Sequence, residues 1–209
     1  MARYTDAVCR LCRRNGEKLF LKGTRCNTPK CGIAKRAFPP GQHGETRKGK
    51  LSNYGMQMKE KQKVKWIYGI MERQFRKYFA MAAKTKGVTG RLLLQLLERR
   101  LDNVMFRLGI ATSRPQSRQF VRHNFVYVNS KRVNIPSYLV DKDDVIEVKA
   151  KDAALKRIKE NLELSKDRSK VNWLTLDANV LKATVMRLPE KEDTDASIQE
   201  QLIVELYSK

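Results

Sequence analysis

The way charge is spread along this chain limits what it can become more than any other feature. Lys and Arg number 44 against 22 Asp and Glu, a net of +22. Residues 1–86 hold 22 of the basic residues and only 5 of the acidic ones, a net of +17. Residues 87–209 hold the other 22 basic residues and 17 acidic ones, a net of +5. A surface of one sign repels itself unless something neutralises it. Solubility alone asks for charge, but of both signs. The first part of the chain therefore reads as a face built to lie against a polyanion, with nucleic acid the first candidate. Binding of that kind releases counterions from phosphate and weakens as salt rises.

With 209 residues, 41% of them apolar and 32% charged, the chain has material for one large domain or two smaller ones. The start, Met1-Ala2-Arg3-Tyr4-Thr5-Asp6, has no apolar h-region, so no signal peptide is expected. No stretch approaches the ~20 apolar residues of a membrane span. The expectation is a cytoplasmic protein in a reducing compartment, with no membrane partner.

All four cysteines fall early, in the patterns Cys9-x-x-Cys12 and Cys26-x-x-x-x-Cys31. Each pair can wrap a tight knuckle, and four thiolates satisfy a tetrahedral Zn²⁺ with no open position, the structural rather than the catalytic pattern. An iron–sulfur cluster on the same four residues is the alternative. A reducing compartment argues against disulfides. Arg10, Arg13, Arg14, Arg25 and Lys30 offset the charge of such a site and are expected to lower its thiol pKa values. The metal is expected to fold a segment with too few apolar residues to fold itself.

Residues 33–55 are the least globular part. Ala37-Phe38-Pro39-Pro40-Gly41-Gln42-His43-Gly44 is followed by Arg47-Lys48-Gly49-Lys50. Pro and Gly break helices and the cations resist burial, so this stretch reads as a basic extension that orders on a polyanion. His43 has no paired ligand nearby and reads as a turn or phosphate-contact residue.

From Met56 to about Lys86 the pattern turns helical, with Val64, Ile67, Ile70, Met71, Phe75, Tyr78, Phe79 and Ala82 at three- and four-residue spacings. Lys59, Lys61, Lys63, Lys65, Arg73, Arg76 and Lys77 surround them. With so few acids in this region these cations are expected to lack protein partners and to meet phosphate. A second helical run follows Thr89 through Leu92, Leu93, Leu96, Leu97, Leu101, Val104, Met105 and Leu108, with Gly109 as its stop. Ser113 and Pro115 open a short helix to His123, with Arg114, Arg118 and Arg122 four apart on one face. Asn124 closes it, since Asn tolerates the left-handed conformation. Strands are expected at Phe125–Val128 and Val145–Val148, with a turn at Asn129-Ser130-Lys131-Arg132. Leu155, Ile158 and Leu162 share one face of a helix from Asp152 to Lys166. Residues 189–209 carry 2 basic and 6 acidic residues. Their apolar Leu202-Ile203-Val204 and Leu206-Tyr207 predict docking rather than a free tail.

The fold expected is α+β: a metal-knuckle N-terminus, a mostly helical domain, and a helix–turn–helix–hairpin RNA-binding module with a small antiparallel sheet. The divisions are 1–45 (knuckle and basic extension), 46–97 (helical), 98–188 (module) and 189–209 (acidic segment docking back).

Glu98-Arg99-Arg100-Leu101-Asp102-Asn103-Val104, Val126-Tyr127-Val128-Asn129 and Val133-Asn134-Ile135-Pro136-Ser137-Tyr138 resemble the RNA-binding module named after bacterial small-subunit ribosomal protein four. Pro40-Gly41-Gln42-His43-Gly44, Glu60-Lys61-Gln62-Lys63-Val64, Ile67-Tyr68-Gly69, Glu72-Arg73-Gln74-Phe75, Trp173-Leu174 and Leu202 to Ser208 resemble that ribosomal family itself, in order and over essentially the whole chain. The four cysteines resemble its zinc-binding branch. The resemblance implies a structural constituent of the small subunit, monomeric within it. Such a protein binds 16S rRNA early at a helix junction of the 5′ domain and nucleates assembly of the subunit body. It also implies contact with ribosomal protein five, linked to decoding accuracy, and residues matching Arg47, Lys48 and Lys50 beside the path by which mRNA enters. The sequence departs from the family at Asn124, Ser130, Asp143-Asp144 and Ala183, where Gly or Pro-Gly is common, and altered turn geometry is expected there.

The rRNA-contact residues expected are Arg3, Arg10, Arg13, Arg14, Arg25, Lys35, Arg36, His43, Arg47, Lys48, Lys50, Tyr54, Lys59, Lys61, Lys63, Arg73, Arg76, Arg114, Arg118, Arg122, Lys131 and Arg132. No Gly-rich phosphate loop, nucleophile elbow or His/Cys pairing outside the metal set is present. Asp102 reads as an ion-pair partner. The protein is expected not to be an enzyme.

Overall fold

The computed structural model describes residues 3–46, 49–165, 171–195 and 197–208. In chain order its helices are α1 (Cys9–Asn15), α2 (Gly32–Lys35), α3 (Asn53–Tyr68), α4 (Glu72–Lys84), α5 (Thr89–Glu98), α6 (Leu101–Arg107), α7 (Arg114–Arg122), α8 (Asp152–Leu164) and α9 (Glu200–Tyr207). Its strands are β1 (Val126–Val128), β2 (Lys131–Arg132), β3 (Val145–Val148), β4 (Leu174–Asp177) and β5 (Lys182–Val185). The architecture is α+β. No helix among the described residues is long and apolar enough to cross a membrane. The chain divides into two compact units, Met1–Leu93 with Ser197–Lys209, and Leu94–Ala196.

In the first unit the expected helical run is two helices. Ser52 caps α3, its Oγ accepting from Gly55 N at 3.2 Å. Gly69 then turns left-handed at φ +63° and ends it. α4 carries Phe75, Tyr78 and Ala82 inward. α9 returns to pack on α3, with Ile203 fully buried. Its docking is polar as well as apolar. Gln57 Nε2 donates to Glu205 at 2.8 Å, Gln199 N donates to Glu60 at 2.9 Å, and Lys63 Nζ donates to Ser197 O at 2.6 Å. The Tyr207 ring stacks 4.6 Å from Phe79 and 6.0 Å from Phe75.

The second unit is built around one core. Leu101, Val104 and Met105 of α6, Val121 of α7, Ile158 of α8 and Trp173 pack with Val126, Ile146 and Val185 of the sheet, all but inaccessible to solvent. The sheet is antiparallel throughout, in the order β2-β1-β3-β5-β4. Val126 faces Val148, Val128 faces Ile146, and Ile146 faces Ala183, so alternate residues line the core. β4 and β5 carry short alternations that were not expected from the sequence.

The apolar run expected from Leu92 to Leu108 breaks after Glu98. Arg100 is extended, at φ −64° and ψ 134°. The reason is a competing set of backbone bonds from a distant segment. Leu101 N donates to Tyr138 O at 2.8 Å, Asp102 N to Pro136 O at 3.1 Å, and Val140 N to Arg99 O at 3.0 Å. The expected four-residue turn at Asn129–Arg132 is also corrected: Lys131 and Arg132 form β2, and only Asn129-Ser130 turn. Both have positive φ, +49° and +65°, as a two-residue hairpin loop that follows the strand twist requires. Asn129 Oδ1 accepts from Val145 N at 2.9 Å and fixes the tip to β3.

Asn124, Ser130 and Asp143 keep left-handed backbone at φ +64°, +65° and +66° without glycine. The turn geometry is therefore retained at a cost in strain, greatest for Ser130. Ser130→Gly is expected to stabilise the protein by about 0.5–1 kcal/mol. Urea unfolding checks this; an unchanged or lowered midpoint would show that the turn carries no strain.

Candidate nucleic-acid interface

The fold separates the expected contact residues into two groups. Lys61 and Lys63, read from sequence as phosphate contacts, are buried. They are not partnerless. Lys63 Nζ lies 3.0 Å from Glu17 and 3.4 Å from Glu60, beside its bond to Ser197 O. Lys61 and Lys65 both bond Glu72, at 3.2 and 2.7 Å. The few acids of this region hold these lysines inside, which corrects the expectation that they face RNA. Partial burial alone would raise the Glu72 carboxyl. Hydrogen bonds from Lys65, Tyr207 and Lys61 outweigh it and hold its pKa down at about 2. Tyr207 OH donates to Glu72 at 2.7 Å. Burial, then this bond, pushes its phenol upward.

Of the expected contact residues in the first unit, Arg3, Arg10, Arg14, Arg25, Lys35, Arg36, Lys50, Lys59, Arg73 and Arg76 are exposed, as are His43 and Tyr54. Arg76 also reaches Glu72 at 3.3 Å while staying largely exposed. Arg13 is half-buried. Its Nε donates to Phe38 O at 2.9 Å and its guanidinium lies 5.0 Å from the Phe38 ring, so it shapes the basic extension. The extension doubles back tightly: a Cβ on Gly44 would collide with Pro39 O. Arg47 and Lys48 lie outside the described residues.

In the second unit the three arginines of α7 do not share one exposed face. Arg118 is buried, 3.5 Å from Asp102. Arg114 is half-buried, its Nε donating to Asn103 Oδ1 at 2.8 Å and its guanidinium stacked 4.4 Å from the Phe106 ring. Of the three only Arg122 is exposed, as are Lys131 and Arg132 on β2. Asp102 is the ion-pair partner expected, bonded by Arg100 through Nε at 3.0 Å and Nη2 at 2.6 Å. Nothing in the residue pattern marks Glu98 as a charge partner. Its carboxylate is fully buried, gripped by Arg107 at 2.6 and 2.9 Å and by Asn103 Nδ2 at 2.6 Å.

All four cysteines are free thiols; Cys12, Cys26 and Cys31 are buried and Cys9 is half-buried. The turns bring them near one another. A Cβ on Gly32, next to Cys31, would stand 2.8 Å from Cys9 Cβ. Cys12 senses Cys26, Cys9 and Cys31. The neighbouring cations do not dominate, contrary to expectation. Burial is the largest influence and pushes the Cys12 and Cys26 thiols up, the other cysteines add to it, and backbone bonds from Leu19 and Lys22 oppose it. Lys22 N donates to Cys26 Sγ at 3.3 Å. Among the described residues, no three Cys, His, Asp or Glu side chains are set as a ligating group. Donor chemistry and burial suit thiolate ligands, but the geometry of a formed four-cysteine site is not present among the described residues.

Residues 3–98 match the family model described as Ribosomal protein S4/S9 N-terminal domain, and residues 99–146 the one described as S4 domain. The chain belongs to the ribosomal protein S4 family. Small ribosomal subunit protein uS4 of Thermodesulfovibrio yellowstonii is 57% identical over 209 residues, spanning the whole of both chains. The proteins of that name from Acetivibrio thermocellus and Halothermothrix orenii are 57% and 55% identical over the same full span. The two family matches meet between Glu98 and Arg99, where α5 ends and the buried charge network begins.

That network makes a clear demand on stability. Asp102→Ala leaves the fully buried Arg100 guanidinium without its bidentate partner, and breaking such a pair costs about 3–5 kcal/mol. Chemical denaturation is expected to show a loss of that size. A loss under 1 kcal/mol would mean that Arg100 finds another partner.

Proposed function

We propose that this protein is a structural constituent of the small ribosomal subunit that binds 16S rRNA and does no chemistry of its own. The observation that carries the reading is the sorting of cations in the first unit. The available carboxylates hold Lys61, Lys63 and Lys65, and a broad set from Arg3 to Arg76 is left at the surface. Family membership supplies the polyanion that such a surface suits. Because these are phosphate-type contacts on a rigid frame, recognition follows RNA shape more than base edges. A helix junction of the 5′ domain, bound early in assembly of the subunit body, is the site this reading assigns. Arg122, Lys131 and Arg132 offer a second, smaller contact on the other unit.

The reading extends to neighbours. The acidic stretch around Glu190, Glu192 and Asp195 repels phosphate and suits a basic protein such as ribosomal protein five, through which decoding accuracy would be affected. Arg47, Lys48 and Lys50 are assigned to the mRNA path, and the cytoplasm is where such a subunit works.

Cys9, Cys12, Cys26 and Cys31 are assigned to Zn²⁺, with an iron–sulfur cluster as the alternative on the same thiolates. Bound metal would supply charge neutralisation to buried sulfur and a crosslink between α1 and the segments around Cys26 and Cys31. The cysteine-only donor set and its burial support this assignment, and the backbone N–H bonds to Cys12 and Cys26 offset part of the burial that favours the neutral thiol.

Two measurements test these readings. The full-length protein, titrated with 5′-domain 16S rRNA, tRNA and duplex DNA across a salt series, is expected to keep tight rRNA binding at salt that abolishes the other two. Equal and equally salt-sensitive binding to all three would remove the shape-specific reading. Chelation is expected to expose residues 3–35 to protease and weaken rRNA binding. Retained protection and affinity would refute a structural metal.

A further inference from the structure

The proposed rRNA surface contains one residue that charge does not explain. Phe20 sits in the loop between α1 and the 3₁₀ turn Gly23–Asn27, with φ +50° and half of its surface exposed. A bulky residue at positive φ is a real outlier, and an exposed phenyl ring gains nothing from water. Two unfavourable features thus coincide at one position, although the same loop uses glycine at Gly16 (φ +82°) and Gly23 (φ +60°). The loop is anchored on both sides of Phe20. Leu19 is buried and its backbone bonds Cys12, while Lys22 N donates to Cys26 Sγ at 3.3 Å. These anchors hold the backbone so that Phe20 stands out from the knuckle.

The chain on either side of this ring is cationic. Lys18 and Lys22 flank it in the chain and are exposed, as are Arg14 and Arg25. The one acid between Asp6 and Glu45 is Glu17, and it is held by Lys63 at 3.0 Å. An aromatic face bordered by cations and lacking a free carboxylate fits a nucleobase whose flanking phosphates meet the lysines. A double helix offers no base face, so the base must be unpaired. We infer that Phe20 is a stacking platform for an unpaired nucleotide of the RNA that this protein binds. The inference rests on the rRNA reading above and adds a specificity element that phosphate contacts cannot give. Persistent strain at an exposed position fits this role, because it keeps the ring presented before RNA arrives.

Two full-length variants test it. Phe20→Leu keeps an apolar side chain and removes the flat face. Phe20→Trp keeps the face and adds a fluorophore to Trp66 and Trp173. Phe20→Leu is expected to bind 5′-domain 16S rRNA about 5- to 100-fold more weakly, with at least one unpaired nucleotide newly reactive to chemical probing. Its resistance to protease is expected to match that of the original protein. Phe20→Trp is expected to bind with undiminished affinity, and its added emission to be quenched by the RNA. Phe20→Leu binding within twofold with an unchanged footprint overturns the inference, as does unquenched Trp emission in the complex. Weakened binding accompanied by loss of protease resistance also overturns it, because Phe20 would then be structural. If the unaltered protein itself fails to prefer 5′-domain rRNA over tRNA, the rRNA reading falls and takes this one with it.

Discussion

A shortage of carboxylates governs the first unit. Three glutamates carry the pairing: Glu17 and Glu60 both meet Lys63, and Glu72 serves Lys61, Lys65, Arg76 and the Tyr207 hydroxyl. A lysine tolerates burial only when its charge is matched and its hydrogen bonds are made. The three glutamates therefore decide which lysines lie inside. The interior pairs and the outward cations are two results of one allocation. The same pairs tie distant chain segments together, since Lys63 alone joins the end of α1, the body of α3 and the residue that leads into α9.

The second unit answers a similar problem with arginine. Arg100 and Arg107 each make two bonds to one carboxylate, and Arg114 and Arg118 extend the cluster across α7. The guanidinium fork suits this work, because its donors match a carboxylate in a fixed plane. The helix break at Arg100 is part of the same arrangement. Releasing the backbone there lets the segment 136–140 bond α6 and cover it. A motif that resembled an RNA-reading sequence is, in its Glu98, Arg100, Asp102 and Asn103, largely the frame on which the reading surface stands.

Features of short range were legible in the sequence. Helical period located the material of α3 to α6 and of α8, cap residues that of α7, Asn124 was recognised as a left-handed stop, and Asp102 as an ion-pair partner. Features that depend on remote partners were not. Helix period in Leu92–Leu108 carries no sign of the carbonyls of Pro136 and Tyr138 that interrupt it. Charge counting over residues 1–86 could not see Ser197 O, which takes one of the lysines. The outer strands were missed because Leu174 and Leu176 alternate over only four residues, although Asp177-Ala178-Asn179 was a readable turn: Asn179 N donates to the Asp177 carboxylate at 3.0 Å. The spacing of the cysteines carried no sign that burial would outweigh the neighbouring cations at Cys12 and Cys26.

The first unit is discontinuous in the chain, because Leu94–Ala196 stands between its two parts. During synthesis the second unit is a contiguous stretch and can close as soon as it is free of the ribosome. The first unit cannot. Its α3 face remains open, and Lys63 and Glu60 lack the backbone groups of Ser197 and Gln199, until those later residues have been made. Order of synthesis and order of completion are thus reversed. A nascent chain stopped before residue 197 would carry the cationic half without the helix that covers it. The finished form of that half reports that translation has passed through everything between.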